Sequence, residues 1–251
     1  MKPLSIQLYT VREQAKKDFP GVIRQIGEIG YKGVEFAGLH GCDPREIRRL
    51  IDDLGMKASS THAALPTKET INEAVDLAGV LGYDILISGK GPGEFKTLDD
   101  VKAAAAQYQA ATELLAGHGL RMAYHNHWWE MARFGGALGL ETLLELAPGL
   151  VAELDIYWAA NFGAVDVPAL IGRRAARIPL LHVKDGPLVK DEPHTASGDG
   201  RMDIPACVKA ADPAVLEWLI VELDFCAGDM MDAVKKSYAY LTGQGLAQGN
   251  R

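Results

Sequence analysis

The sequence predicts an α/β fold in which one (β/α)8 barrel domain occupies residues 1–251, and three observations lead there. Short apolar runs rich in β-branched residues alternate with longer segments of helical period from end to end, without a Pro/Gly/Ser-rich linker. Eight such runs in 251 residues match the strand number and length of a closed barrel. An open, doubly wound sheet would carry a GxGxxG phosphate fingerprint after its first strand, and the junction here reads LYTVREQ.

The eight strand segments, in order, are LSIQLY (4–9), KGVEF (32–36), MKASSTH (56–62), DILIS (84–88), LRMAYH (120–125), LVAELD (150–155), IPLLHVK (178–184) and EWLIVEL (217–223). The intervening segments VIRQIGEIG, REIRRLIDDLG, TINEAVDLAGVLG and VKAAAAQYQAATELLAGHG space apolar residues three and four apart. They end at Gly30, Gly55, Gly82 and Gly119, each suited to the left-handed position that closes a helix.

Composition narrows the partners. A formal net charge of -7 repels phosphate backbones, which argues against a nucleic-acid partner. No apolar run approaches the ~18 residues that span a bilayer, and MKPLSIQLYTVREQ has neither the apolar stretch nor the cleavage site of a signal peptide. A cytoplasmic protein without membrane contact is expected. Cys42, Cys207 and Cys226 are widely spaced with no CxxC pair and read as reduced structural thiols.

In a closed barrel the functional groups gather at the C-terminal ends of the strands. Strand 2 ends with Glu35, strand 3 with His62, strand 5 with His125 and His127, strand 6 with Asp155, strand 7 with His182 and Lys184, strand 8 with Glu222. Side chains alternate across a strand, so Ile178, Leu180, His182 and Lys184 share one face, as do Leu216, Trp218, Ile220 and Glu222, and Ala58, Ser60 and His62. Apolar residues below and polar groups at the top are the pattern of a catalytic barrel strand. Burying carboxylates there is costly without a compensating cation, and four groups from neighbouring strands can share one. Oxygen ligands with an imidazole suit a single divalent ion: Mn, Mg, Co or Zn. Parity also places Glu153 inside, where a basic or amide neighbour is expected to bond it.

The stretches YKGVEF (31–36), AYHNHWWE (123–130), ELDIYWA (153–159), LLHVKDG (180–186), SGDGRMDIP (197–205) and VEL (221–223) resemble motifs of the sugar phosphate isomerase/epimerase superfamily, the xylose isomerase-like TIM barrels. The resemblance implies one metal held by a glutamate after strand 5, Asp155, His182 and Glu222. Many members carry the first glutamate at the tip of strand 5, where this chain has His125. The nearest carboxylate, Glu130, is assigned as the fourth ligand, with His125 as the alternative and the other of the two left to touch substrate. The implied chemistry moves a proton on the carbon beside a carbonyl through an enediolate. Glu222 and Glu130 are its candidate bases, with His125 or His127 as substitutes.

Glu35, His62, His127, Lys184 and Trp158 are the candidate substrate contacts, and Lys184 is expected to meet a substrate oxygen or Asp185. Trp128, Trp129, Tyr157 and Trp158 offer faces for a sugar ring, or plain loop packing. The segment 186–200 reads as a mobile loop over the barrel mouth or, at GDG, as simple turn chemistry. His40, His118 and His194 are expected at the surface.

The same proton abstraction also serves a lyase or dehydratase acting on a keto-sugar, keto-inositol or 3-keto-glycoside. A non-catalytic sugar-binding barrel is a third reading, and abasic-site endonucleases of this superfamily are disfavoured by the net charge of -7. No arginine cluster marks a phosphate clamp, which points to an unphosphorylated carbohydrate; a homodimer is compatible with the size.

Overall fold

In the computed structural model, which describes residues 1–250, eight parallel strands follow one another around a barrel. They are β1 (Lys2–Gln7), β2 (Gly33–Phe36), β3 (Lys57–His62), β4 (Ile85–Ser88), β5 (Arg121–His125), β6 (Val151–Asp155), β7 (Leu180–Val183) and β8 (Trp218–Val221). β8 pairs with β1 through Leu4 with Leu219, Ser5 with Ile220 and Ile6 with Val221, which closes the sheet and leaves no barrel edge unpaired. Ala247–Gln248 adds a short parallel pairing beside the start of β1.

The principal helices are α1 (Arg12–Ile29), α2 (Pro44–Asp53), α3 (Ile71–Leu81), α4 (Leu98–Ala116), α5 (Gly139–Leu146), α6 (Val167–Arg174), α7 (Ile204–Ala210) and α8 (Met230–Gly243). Asp43, Thr97, Asp166, Asp203 and Asp229 cap helix N-termini with their side chains. Gly30, Gly55, Gly82 and Gly119 all adopt the expected left-handed φ, between 66° and 115°. Among the described residues no helix is long and apolar enough to cross a membrane.

The sequence placed all eight strands and misjudged mainly their ends. β1 starts at Lys2 and stops at Gln7, because Leu8–Val11 winds into a 3-10 turn, and β7 releases the chain before Lys184. Alternation divides the core in two. Leu86, Tyr124, Leu154, Val183 and Leu219 face the helices, whereas Ile85, Ile87, Ala123, Leu180 and Ile220 form a separate plug inside the barrel. One pleat above the plug, apolar gives way to polar: His125 follows Ala123, His182 follows Leu180 and Glu222 follows Ile220.

Candidate metal and active site

His125 and Asp155 end β5 and β6, His182 lies in β7 and Glu222 follows β8. One donor atom of each lies within 4.8 Å of all the others, and all four side chains are buried. Asp155 also caps the one-turn helix Ile156–Ala159, its Oδ1 accepting the Trp158 amide at 2.9 Å. That cap fixes the carboxylate while leaving Oδ2 for the site.

Below this group lies a second one that shares two of its members, bringing His62 and Glu153 together with His125 and His182. Glu153 Oε2 accepts from His62 Nε2 at 2.6 Å and His125 Nδ1 at 3.0 Å. Glu35 Oε1 accepts from Gln7 Nε2 at 2.6 Å and His182 Nε2 at 2.7 Å, and its Oε2 accepts from the Ser60 hydroxyl. The neighbour that Glu153 required is therefore a set of three imidazoles, since His182 Nε2 also stands 3.0 Å from its Oε1.

Lys184 is sealed among carboxylates on the upper side. Its Nζ is 2.9 Å from Asp155 Oδ2, 2.9 Å from Glu222 Oε2 and 2.8 Å from Asp224 Oδ2, and 5.1 Å from the centre of the Trp158 ring. Burial works against its charge, but Asp155, Asp224 and Glu222 hold it well above the usual lysine range. Burial likewise opposes ionised Glu222 and Glu153, yet Lys184 and His182 for the first, and His182 and His62 for the second, keep both well below the ordinary carboxylate value. Burial dominates at Asp155 and raises it. His62, partly exposed at the cleft, is carried up to about 10, against the desolvation that opposes its charge, by Glu153 and Glu35.

A cleft of about 470 Å³ opens above, lined by His62, His125, His127, Trp129, Glu222 and Asp224 together with Tyr9 and Lys90. His127 stacks on Trp129 with ring centres 4.3 Å apart and planes inclined by 11°. Burial, helped by His125 and Lys184, takes His127 down to about 2, and its buried Nδ1 has no hydrogen-bond partner.

A divalent cation fits these residues. Asp155 Oδ2 is buried and accepts no hydrogen bond, facing the Lys184 ammonium. Asp155 and Glu222 with the His125 and His182 imidazoles form a mixed donor set suited to first-row divalent ions.

A family model described as Xylose isomerase-like TIM barrel matches residues 23–241. The chain belongs to the xylose isomerase-like TIM barrels. A sugar phosphate isomerase/epimerase from Parabacteroides distasonis is 25% identical and superposes with a TM-score of 0.83, covering 98% of this chain and 96% of that one. The probable 3-DHS dehydratase AsbF of Bacillus anthracis shares the fold at 14% identity, with a TM-score of 0.75 over 96% of this chain and 99% of that one. So does the IOLI protein, whose crystal structure holds a zinc atom, at 14% identity and a TM-score of 0.74 over 97% of this chain and 99% of that one. No curated protein matches the chain significantly in sequence.

Within this xylose isomerase-like frame, several residues sit where the sequence did not put them. Glu130 falls outside both groups: its Oε1 accepts from the Tyr124 hydroxyl at 2.7 Å and its Oε2 from the His127 amide at 2.8 Å. Tyr124 faces the helices, so the 3-10 turn Trp129–Met131 that folds Glu130 onto it carries the carboxylate away from the barrel axis. Burial raises Glu130 to about 7 against the pull of the Tyr124 hydrogen bond. His125 stands beside Asp155, His182 and Glu222 instead.

Among the described residues, Glu35, Lys184 and Trp158 stand behind the cleft rather than on its wall. Gln7, Ser60 and His182 enclose Glu35, and Lys184 is drawn under by Asp155, Glu222 and Asp224, not by Asp185. Asp185 has another partner set, accepting the amides of Gly186, Gly198, Gly200 and Met202 at 2.8, 2.9, 3.1 and 3.0 Å. The expected mobile loop is thus tied at its base, leaving 187–193 as its tip. His40 and His118 are exposed as expected, but His194 is buried, its ring against Tyr157, Trp158 and Phe225 and its Nδ1 accepting the Asp224 amide at 3.2 Å. Asp224 itself was overlooked, although it lies two residues beyond Glu222 and lines the cleft.

Proposed function

We propose that the protein is a cytoplasmic, divalent-metal-dependent isomerase or epimerase acting on a sugar or keto-sugar. One observation carries this function: His125, Asp155, His182 and Glu222 converge at the ends of four neighbouring strands, beneath a cleft of about 470 Å³. That volume falls in the range of small-molecule sites. These four residues hold the metal, with His125 in the place assigned from sequence to Glu130. When bound, the metal supplies Lewis-acid polarisation of the substrate's carbonyl oxygen. Mn, Mg, Co and Zn all suit the donor set, and the zinc of the IOLI protein supports the last.

The chain's own residues carry the proton. Glu222 lines the cleft as an ionised carboxylate and accepts the proton from the carbon beside the carbonyl. His127, held neutral by burial, lines the cleft as a hydrogen-bonding contact for a substrate hydroxyl and not as a base. Glu130 acts through the loop, holding the His127 amide, and Trp129 presents an aromatic face to a sugar ring. A phosphate on the substrate is disfavoured at the start of α8, where barrels often bind one: Asp229 caps that end by accepting the Asp232 amide at 2.9 Å, and Asp232 adds a second carboxylate.

Asp224 favours one alternative. A second carboxyl group on the cleft wall is what protonation of a departing hydroxyl requires, so a lyase or dehydratase acting on a keto-sugar, keto-inositol or 3-keto-glycoside is the second reading. Unphosphorylated aldoses and ketoses incubated with the enzyme in deuterated water separate the cases. Exchange at the carbon beside the carbonyl, abolished by EDTA and restored by Mn2+, Co2+ or Zn2+, is the expected result. Exchange that persists after complete metal removal overturns the function, and loss of water from the product moves it to the dehydratase.

A further inference from the structure

An imidazole gives a metal ion one lone pair while its other nitrogen keeps a proton, and the acceptor of that proton decides which nitrogen is which. The point matters here because His125 and His182 belong to both groups of converging donors, the upper one with Asp155 and Glu222 and the deep one with His62 and Glu153. A neutral ring cannot serve both places.

The deep carboxylates are built as acceptors. Glu35 and Glu153 have no exposed surface, and neutral donors on β1 and β3 pin Glu35: the Gln7 amide and the Ser60 hydroxyl. What remains of Glu35 Oε1 faces His182 Nε2 at 2.7 Å, while His182 Nδ1 points the other way, 2.9 Å from Glu222 Oε2. Glu153 Oε2 takes His125 Nδ1 at 3.0 Å and is steadied from the opposite strand by His62 Nε2 at 2.6 Å. His62 lies parallel to His182, with ring centres 5.6 Å apart and planes inclined by 8°. Each ring therefore meets a fixed carboxylate with one nitrogen.

We propose that Glu35 and Glu153 are positioning residues that set the tautomers of His182 and His125, so that the cation binds in the upper place through His182 Nδ1 and His125 Nε2. Glu153 is then an acceptor for ligands and not a ligand, which accounts for a carboxylate on the inner face of β6 two residues before Asp155. The inference rests on the metal-dependent function proposed above and adds the residues that choose between two available places.

Two measurements on the zinc-loaded full chain test it. In two-bond proton–nitrogen correlation spectra of protein labelled with 15N-histidine, His182 is expected to be protonated at Nε2 and metallated at Nδ1, and His125 protonated at Nδ1 and metallated at Nε2. Competition against a chelator should show zinc affinity falling about 10–100-fold in Glu153→Gln and in Glu35→Gln, the range for lost partners of metal ligands. Zinc bound through the opposite nitrogens, or an affinity unchanged in both variants, overturns the inference alone. Failure of the wild-type protein to bind zinc, manganese or cobalt overturns it together with the proposed function.

Discussion

Asp155 is buried as deeply as Glu35 and Glu153, Glu222 nearly so, and all four hang from inward faces of the same barrel. Their partners differ. The deep pair is enclosed by the Gln7 amide, the Ser60 hydroxyl and three imidazoles, which reach it from β1, β3, β5 and β7. The upper pair leans on Lys184, a flexible side chain whose ammonium is shared with Asp224, and Glu222 reaches the cleft. Burial therefore does not separate scaffold from chemistry in this barrel. What separates them is whether a carboxylate's partner is fixed or replaceable by an incoming cation.

The largest test of this contrast removes the replaceable partner. Lys184→Met leaves Asp155, Glu222 and Asp224 facing one another, and the metal-free protein should lose about 3–5 kcal/mol in urea unfolding, as when one member of a buried ion pair is deleted. Most of the loss should return with Mn2+. Equal destabilisation with and without metal would show that Lys184 and the cation do not substitute for one another.

Glu222→Gln keeps the shape and removes the charge at the cleft wall. Turnover in the solvent-exchange assay should drop about 10²–10⁴-fold, the usual contribution of a positioned general base. Full activity in this variant would take Glu222 out of the reaction.

A smaller effect extends the comparison to the imidazoles. Carboxylates carry His62 up to about 10, whereas burial, with Lys184 nearby, takes His194 down to about 4. Between pH 6.5 and 4 the unfolded chain protonates His194 and the folded chain does not, so its contribution to stability is present above that window and lost as the pH falls through it. The difference is at most about 3 kcal/mol for a shift of this size. Unfolding midpoints of the wild type and His194→Phe, compared at both ends of the window, isolate it: the variant should lose less stability on acidification, and equal slopes would assign the acid sensitivity elsewhere.

Much of this was legible in the chain. Alternating periods of two and 3.6 residues gave eight strands with intervening helices; strand parity put His62, His182 and Glu222 on faces that turn from apolar to polar, and Asp155 was read from the end of its strand. The same parity put Glu153 inside, but its partners come from β3, β5 and β7, and pairing across a closed barrel is not written in local sequence. Glu130 depended on a single 3-10 turn that folds its carboxylate onto Tyr124. His194 sits in a polar stretch and is buried only because Tyr157, Trp158 and Phe225 arrive from other loops. Asp185 holds amides 13, 15 and 17 positions further along, a separation with no local signal.

That clasp has a consequence for traffic in and out of the barrel. With Asp185 paired to Thr195, and Gly186 to Arg201, the base of the segment is stapled shut, and the tip 187–193 is short, with Leu188 packed on the core and Lys190 over the Trp128 ring. A tip so short makes a poor door for a cleft of about 470 Å³. The substrate has to act as its own stopper, displacing water by filling the space, and molecules too small to do so should leave unreacted more often than they are converted.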